Sequence, residues 1–425
     1  MLNIKKQINR LYSSSIFGQI SLSGAWVAIL AARGFSLAQI GFAETVFHIV
    51  SILFEIPSGV LADVLGRKKT LVISCLMRII GNIVMVLSNN FAMVCLSIAF
   101  HALNYNFSSG SGDALAFDSL KSVGQEDRFD RYASNQLIIY RACEGLSTLT
   151  AGFALVIGYK LAYATGILAG LIQFALLVGL VEVRLEAPPS DFNVWKEIGR
   201  CFKESFLFLK EAKKAMLLMF TNSFVGALDI LLLFFLQAKL PMAGIPNWAL
   251  GIALLATQAG GVIGARLILY AKKIHYRVIF TIATAVILSA IALEHSGLYV
   301  LMALGGFMSS MADDALQVRT NTRLQNMFPS EQRATLISIE SFTFSVIMIV
   351  FSPLAGLFFT VWYTARTFTD KTIMVSSSGV TASYGRYNKK GGRFCGRLFC
   401  LLANEAAAVN VKVGYFAFFV FFHLR

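Results

Sequence analysis

The sequence predicts an all-α polytopic membrane protein. Three observations carry that prediction: a mean hydropathy of +0.68 with only 14% charged residues, eleven apolar stretches of helical length, and an internal repeat at an offset of 201 residues. Soluble domains carry about 25% charge. A chain that is 56% hydrophobic has more apolar surface than one soluble core hides.

The apolar spans run over 15–33, 38–62, 70–88, 91–117, 136–158, 161–182, 216–236, 247–270, 278–294, 297–318 and 335–361. Each reaches across about 30 Å of hydrocarbon at about 1.5 Å per residue. Pro57 and Pro353 fall inside spans, where membrane helices tolerate them. The N-terminus has basic residues but no small-residue cleavage site after a short apolar core, so no cleavable signal peptide is expected.

The net charge of +14 is unevenly placed. With a cytoplasmic N-terminus, the inside connections hold twenty-two Lys and Arg, from Lys5, Lys6 and Arg10 through Arg67, Lys68 and Lys69 to Arg319, Arg323 and Arg333. The outside connections hold three: Arg33, Lys160 and Lys239. The bias recurs loop by loop and sets the orientation, with the N-terminus in the cytoplasm; the expected location of this multi-pass chain is the plasma membrane. The basic charge belongs to the membrane surface and not to a nucleic acid partner.

Domain organisation follows. Residues 1–183 form an N-terminal transmembrane half, 184–214 a cytoplasmic linker, 215–361 a C-terminal half, and 362–425 a divergent basic tail. In the linker, Ser190 or Asp191 caps a helix on which Phe192, Trp195, Ile198, Phe202, Phe206 and Leu209 recur at three- and four-residue steps. It reads as an amphipathic helix in the membrane interface, or else as a soluble linker helix. The two halves repeat each other. "SSGSGDAL" at 108–115 matches "SSMADDAL" at 309–316, and Arg131 matches Arg333. "GGVIGARLILYAKK" at 260–273 holds the place in the second half that "GVLADVLGRKK" at 59–69 holds in the first. Paired helical halves with a path between them are one way to build a transporter.

Gly59, Asp63, Gly66, Arg67 and Lys68 resemble the loop 2–3 motif of the major facilitator superfamily, G-x-x-x-D-[RK]-x-G-[RK]-[RK]. The motif lies between the second and third spans, and the resemblance covers roughly 15–361. Val64 departs from the usual basic residue. The resemblance implies two six-helix halves, with the twelfth helix here lost or replaced. It also places Asp118 near Arg67. Physically, Gly59 is expected to let helix backbones approach closely and Gly66 to permit a tight reversal. Asp63 is expected to accept bonds from Arg67. Gly59, Asp63, Gly66, Arg67, Lys68 and Asp118 then form a conformational latch. The plainer reading is a topogenic turn.

Intramembrane ionisable residues are costly and need a partner or an aqueous cavity. Glu44, His48 and Glu55 stand at steps of 4 and 7 in the second span, within about 40° of one another on a helix. Acids beside an imidazole are the chemistry of a proton relay. Alternatively, both glutamates snorkel or bond between helices. The fourth span is polar, with His101, Asn104, Tyr105, Asn106 and Asp113. Asp113 is expected to pair with Arg141, which with Glu144 marks one face of the fifth span. In the second half Asp229 lies deep in the seventh span near Asn222. Asp313 and Asp314 must face different directions, Glu340 begins the eleventh span, and Arg78 in the third is expected to snorkel or pair with an acid. The residues proposed for proton coupling or the substrate cavity are Glu44, His48, Glu55, Asn104, Asp113, Arg141, Glu144, Asp229 and Asp314. The many aromatics, 36 Phe among them, are ordinary packing material; beside several acids they suit a cationic or amphiphilic solute.

Enzyme motifs are missing from the sequence: no P-loop, no H-E-x-x-H, no C-x-x-C and no G-x-S-x-G. The six cysteines show no metal spacing and no disulfide framework. No cofactor or metal is expected. The repeat predicts a twelfth span near 362–383, but "WYTARTFTDKTIMVSSSGVTAS" is polar and interrupted. The tail carries 9 basic and 2 acidic residues, which suggests a shifted reading frame or natural divergence.

The resemblance thus implies a secondary active transporter working by alternating access, exporting a drug or small metabolite against proton entry. The expected partners are a small-molecule substrate, protons and the lipid bilayer, with the chain a monomer. The fifth-span antiporter motif G-x-x-x-G-P-x-x-G-G is missing: "GLSTLTAG" at 145–152 has no proline. A proton-coupled importer is the alternative, as is a transport-dead scaffold or sensor.

Overall fold

The computed structural model describes residues 2–183, 199–200, 213–271, 273–325, 327 and 333–377. Among them there are helices and connections but no strand: α1 (Ile4–Gln19), α2 (Trp26–Ala32), α3 (Leu37–Leu65), α4 (Arg67–Leu87), α5 (Phe91–Ser108), α6 (Ser111–Lys121), α7 (Phe129–Leu149), α8 (Ala151–Ile157), α9 (Tyr159–Val178), α10 (Lys213–Met242), α11 (Asn247–Leu267), α12 (Tyr276–Glu294), α13 (Tyr299–Gln325) and α14 (Arg333–Ser377). The predicted linker helix lies outside the described residues, apart from 199–200 and the start of α10.

Seven of these helices are long and apolar enough to cross a membrane by length and composition. They are α3, α4, α9, α10, α11, α12 and the Ile339–Val361 part of α14. The other four predicted spans differ for identifiable reasons. The tenth, in α13, carries Asp313 and Asp314 among its apolar residues. The first, fourth and fifth are each divided into two helices.

The breaks are compensated by side chains, as a low-dielectric setting demands. Between α1 and α2, Ser147 of α7 donates to the Ser21 carbonyl at 2.7 Å, and the Leu22 amide donates to Thr165 of α9 at 3.3 Å. Of the two readings for Arg78 of α4, snorkelling or pairing with an acid, the acid pair does not form. It donates to the freed carbonyls of Phe17 (2.9 Å) and Gly18 (2.6 Å) and to Gln173 Oε1 (2.7 Å). The terminal carbonyls of α1 need donors, and the guanidinium fork supplies several. Between α5 and α6, Gly110 has φ +69° and turns the chain. The matching repeat at 309–316 lacks that glycine and runs on within α13.

Helix starts follow local chemistry. Ser36 and Gln39 form a capping box at α3, and the Asn90 side chain accepts the Met93 amide at 3.0 Å to start α5. α14 continues past the predicted end at 361 to Ser377; no Gly or Pro occurs between Gly356 and Gly379 to break it. The rest of the tail, from 378, lies outside the described residues.

The helices pack as two bundles. In the first, α4 contacts α5, α6 and α9, and α1 contacts α7 and α9. In the second, α13 contacts α10, α11 and α12. Three junctions join the bundles: α3 with α14, α7 and α8 with α11, and α2 with α10. At one end these junctions are tight. A side chain at Gly41 would meet the Ser352 carbonyl and the Gly356 backbone, and one at Gly356 would meet Leu37 and Ala38. Gly152 and Gly251 are crowded by Asn247 and Leu149 in the same way. Trp26 packs edge-on against Phe234 at 5.6 Å, and the Ala38 amide donates to Thr360 Oγ1 at 3.0 Å.

The charged segments sort to opposite ends. Gln7 donates to the Val181 carbonyl at 2.8 Å, Arg10 to the Gly179 carbonyl, and the Lys68 amide to Glu182 Oε2 at 3.0 Å, gathering the basic N-terminus, the 66–69 turn and the end of α9. At the other end Arg33 donates to the Ser88 carbonyl at 2.8 Å and lies 3.9 Å from the Tyr159 ring centroid.

Candidate functional site

A cavity of about 420 Å³ lies between the two bundles. Its walls come from both: Glu44, Phe47, His48, Ser51 and Glu55 of α3 and Tyr105 of α5 on one side, and Asn222, Asp313, Glu340 and Phe344, from α10, α13 and α14, on the other. The lining runs away from the tight junction. Along α3 it passes from Glu44 to Glu55, along α10 from Phe234 to Asn222, and along α14 from Met348 to Glu340.

Glu44, His48 and Glu55 of α3 all line this cavity. Glu44 Oε1 lies 3.3 Å from His48 Nε2, and His48 Nδ1 lies 3.1 Å from Ser345 Oγ of α14. Ser51 donates to Asn106 Oδ1 at 2.9 Å, and Asn106 Nδ2 donates to the Ser51 carbonyl at 2.7 Å, which fixes α3 against α5. Across the cavity Asn222 Nδ2 donates to Glu340 Oε1 at 3.1 Å. Asp313 lies over Gly226. Asp229, buried one turn deeper on α10, is reached by Ser310 Oγ at 3.5 Å. The lining holds four carboxylates, one imidazole and no Lys or Arg among the described residues.

Asp313 and Asp314 do point in different directions. Asp313 faces this cavity, whereas Asp314 packs toward Gly261 of α11, outside the lining. Asn104 and Asp113 line a second cavity of about 530 Å³ inside the first bundle, with Ser74, Tyr132, Gln136 and Gln173. Asp113 and Arg141 form no ion pair, contrary to the expectation from sequence. Arg141 Nη1 bonds Glu144 Oε2 at 3.1 Å on its own helix, with 65% of its side chain exposed, and it acts electrostatically on Asp314 of the other bundle. The chain turns at Gly110 between α5 and α6, and Asp113 lies in the first turn of α6.

At the far end of α3, Arg67 Nη2 meets Asp63 Oδ1 at 2.6 Å. Gly66, at φ +99°, is the only residue between the two helices and allows the reversal that brings the pair together. Asp118 is near enough to interact electrostatically with Arg67. Gly59 does not mediate a close helix approach: nothing lies within 4 Å of a Cβ added there. That role falls to Gly41 and Gly356, at the opposite end of α3.

Two features escaped the sequence reading. Glu340 and Asp313 were visible as polar residues, but only the packing of α13 and α14 turns them into the cavity. A buried pair, Lys239 with Glu294, joins α10 to α12 at 3.2 Å, with side chains 5% and 0% exposed. The Lys239 ammonium also lies 4.5 Å from the Phe359 ring centroid.

The family model described as Major Facilitator Superfamily matches residues 11–312. The chain belongs to that superfamily. This is a family of transporters, not of enzymes. The Bacillus subtilis (strain 168) protein named "Uncharacterized MFS-type transporter YxaM" is 25% identical over 212 residues, covering 48% of this chain and 50% of the relative. The match thus spans about half of that relative's length. Among solved structures, the nucleoside transporter NupG is similar with a TM-score of 0.64 at 14% identity, over 85% of this chain and 98% of that one. A bacterial homolog of the human lysosomal transporter Spinster, in an inward-facing and unoccupied conformation, gives a TM-score of 0.63 at 16% identity, over 99% and 96%. A D-xylose–proton symporter gives 0.59 at 12%, over 82% and 88%. These likenesses are of fold.

Proposed function

We propose that this superfamily member is a proton-coupled secondary active transporter that exports a small organic solute by alternating access. The observation that carries this reading is the convergence of Glu44, Glu55, Asp313 and Glu340, from both bundles, on one cavity with no Lys or Arg among the described residues of its lining. Carboxylates poised between two moving bodies can exchange protons with whichever side the cavity faces. The tight junction around Gly41 and Gly356 closes one side, which we read as the outer one. The Asp63–Arg67 pair, with Asp118, then belongs to the cytoplasmic latch, and this conformation opens inward with the N-terminus in the cytoplasm of a plasma-membrane monomer. In this reading Glu55, nearest the latch among the α3 acids, carries the proton. His48 bridges Glu44 of α3 and Ser345 of α14, so it connects the two bundles at the cavity edge.

Import is the second reading. It is favoured by the fifth-span sequence 145–152, which departs from the antiporter pattern, and by the likeness to the D-xylose–proton symporter. An uptake and efflux screen in a transporter-deficient host, with and without a proton uncoupler, decides direction and coupling. Export that collapses with the uncoupler supports the first reading. Accumulation that collapses supports the second, and fluxes indifferent to the uncoupler contradict proton coupling.

A further inference from the structure

From the lining of the inter-bundle cavity we infer that its ligand is a bulky organic cation whose positive charge is spread over an apolar body. The inference rests on reading this cavity as the substrate path.

Charge comes first. The lining has four carboxylates, and none of them is in an ion pair with Lys or Arg among the described residues. Glu44 has His48, and Glu340 has the neutral amide of Asn222. Glu55 and Asp313 have no Lys or Arg beside them among the described residues of the lining. Ionised carboxylates in a poorly hydrated space are costly unless a counter-charge arrives. An anionic solute would add to that cost.

The kind of cation follows from how the acids are spread. No three His, Cys, Asp or Glu side chains among the described residues stand close enough to hold one metal ion. The negative charge is therefore distributed along the cavity, from Glu44 to Glu55 on α3 and from Asp313 to Glu340 opposite. A compact inorganic ion gains little from acids it reaches one at a time. A large cation can face several.

Aromatic rings fill the space between the acids. Phe47 lies 6.0 Å from Tyr105 and 5.4 Å from His48, and His48 lies 5.6 Å from Phe344, so one rim of the cavity is a row of rings. Phe234 extends the apolar lining toward the closed end. Ring faces attract cations and shed water, which favours a ligand that is both positive and apolar. A volume of about 420 Å³ suits a small drug-sized molecule.

The test is equilibrium binding to the full chain in lipid nanodiscs, with no gradient applied. Tetraphenylphosphonium and tetraphenylborate have nearly the same shape and opposite charge. The phosphonium is expected to bind saturably and the borate at least about tenfold more weakly, roughly the effect of one charge contact. Glu55→Gln and Glu340→Gln are each expected to weaken phosphonium binding by about fivefold to tenfold. Glu126→Gln, an exposed change of the same charge outside the cavity, is expected to leave it unchanged. Equal binding of the two ions, no saturable phosphonium binding, or indifference to both cavity variants overturns the inference. If one variant fails to fold, the ion pair on the unmodified chain and the other variant still decide. Cation binding without flux would leave this inference standing and remove the transport reading. Gradient-driven flux of a neutral solute without cation binding would do the reverse.

Discussion

His48 Nδ1 of α3 lies 3.1 Å from Ser345 Oγ of α14, a hydrogen bond between the two bundles at the edge of the cavity. It sits a few turns from the glycine-tight junction at Gly41 and Gly356, where α3 and α14 touch backbone to backbone. A polar link of this kind is worth about 1 kcal/mol, or about fivefold in an equilibrium. Ser345→Ala is therefore expected to raise the population in which the Gly41 end is open by about fivefold. The check is the rate at which a membrane-impermeant maleimide labels an Ala38→Cys chain. An unchanged rate would show that the bond does not bias the junction.

The glycines make a paired prediction. A methyl group at Gly356 would press on the Leu37 carbonyl, so Gly356→Ala should cost about 1–3 kcal/mol through overpacking. Gly59→Ala meets open space within a helix and should stabilise by about 0.5–1 kcal/mol through helix propensity. Melting temperatures in detergent should move in opposite directions. Equal shifts would place the close approach elsewhere.

Asp63 and Arg67 form a partly exposed pair, with 54% and 30% of their side chains accessible, and such pairs contribute at most about 1 kcal/mol to stability. If the pair serves as a latch, Asp63→Asn and Arg67→Ala should depress transport strongly while insertion and melting temperature stay near the unmodified values. Normal transport kinetics in both variants would reduce the motif to a topogenic turn.

Lys239 and Glu294 behave differently because they are buried. Removing one partner strands a charge in a low-dielectric interior, at about 3–5 kcal/mol. Glu294→Leu or Lys239→Met alone should therefore impair folding or lower the melting temperature markedly, whereas the double replacement should recover much of the loss. Additive losses across the double-mutant cycle would deny the coupling.

Helix order and type were largely legible because periodicity, capping residues and hydropathy are local. The α3 face of Glu44, His48 and Glu55 was also legible, since a single helix fixes their relative directions. The Asp63–Arg67 pair is local too, being four residues apart across one glycine. What could not be read depended on which helices are neighbours. Gly59 and Gly356 are alike as residues, and only the partner helix decides which one is crowded. Asp113 and Arg141 lie on different helices, α6 and α7, and nothing local to either decides whether they meet. Lys239 and Glu294 are far apart in the chain and meet only because α10 and α12 pack side by side. Asp313 and Asp314 occupy consecutive positions, and it was the rotation of α13 that put the first of them in the cavity.

The central claim is that cavity carboxylates couple solute movement to protons, with Glu55 foremost. The most direct measurement is pH-gradient-driven flux of a transported solute into proteoliposomes holding either the unmodified chain or Glu55→Gln. The account predicts that the unmodified chain responds to the gradient and that Glu55→Gln loses the response while still binding the solute, though about fivefold to tenfold more weakly. Full gradient sensitivity in Glu55→Gln would contradict it.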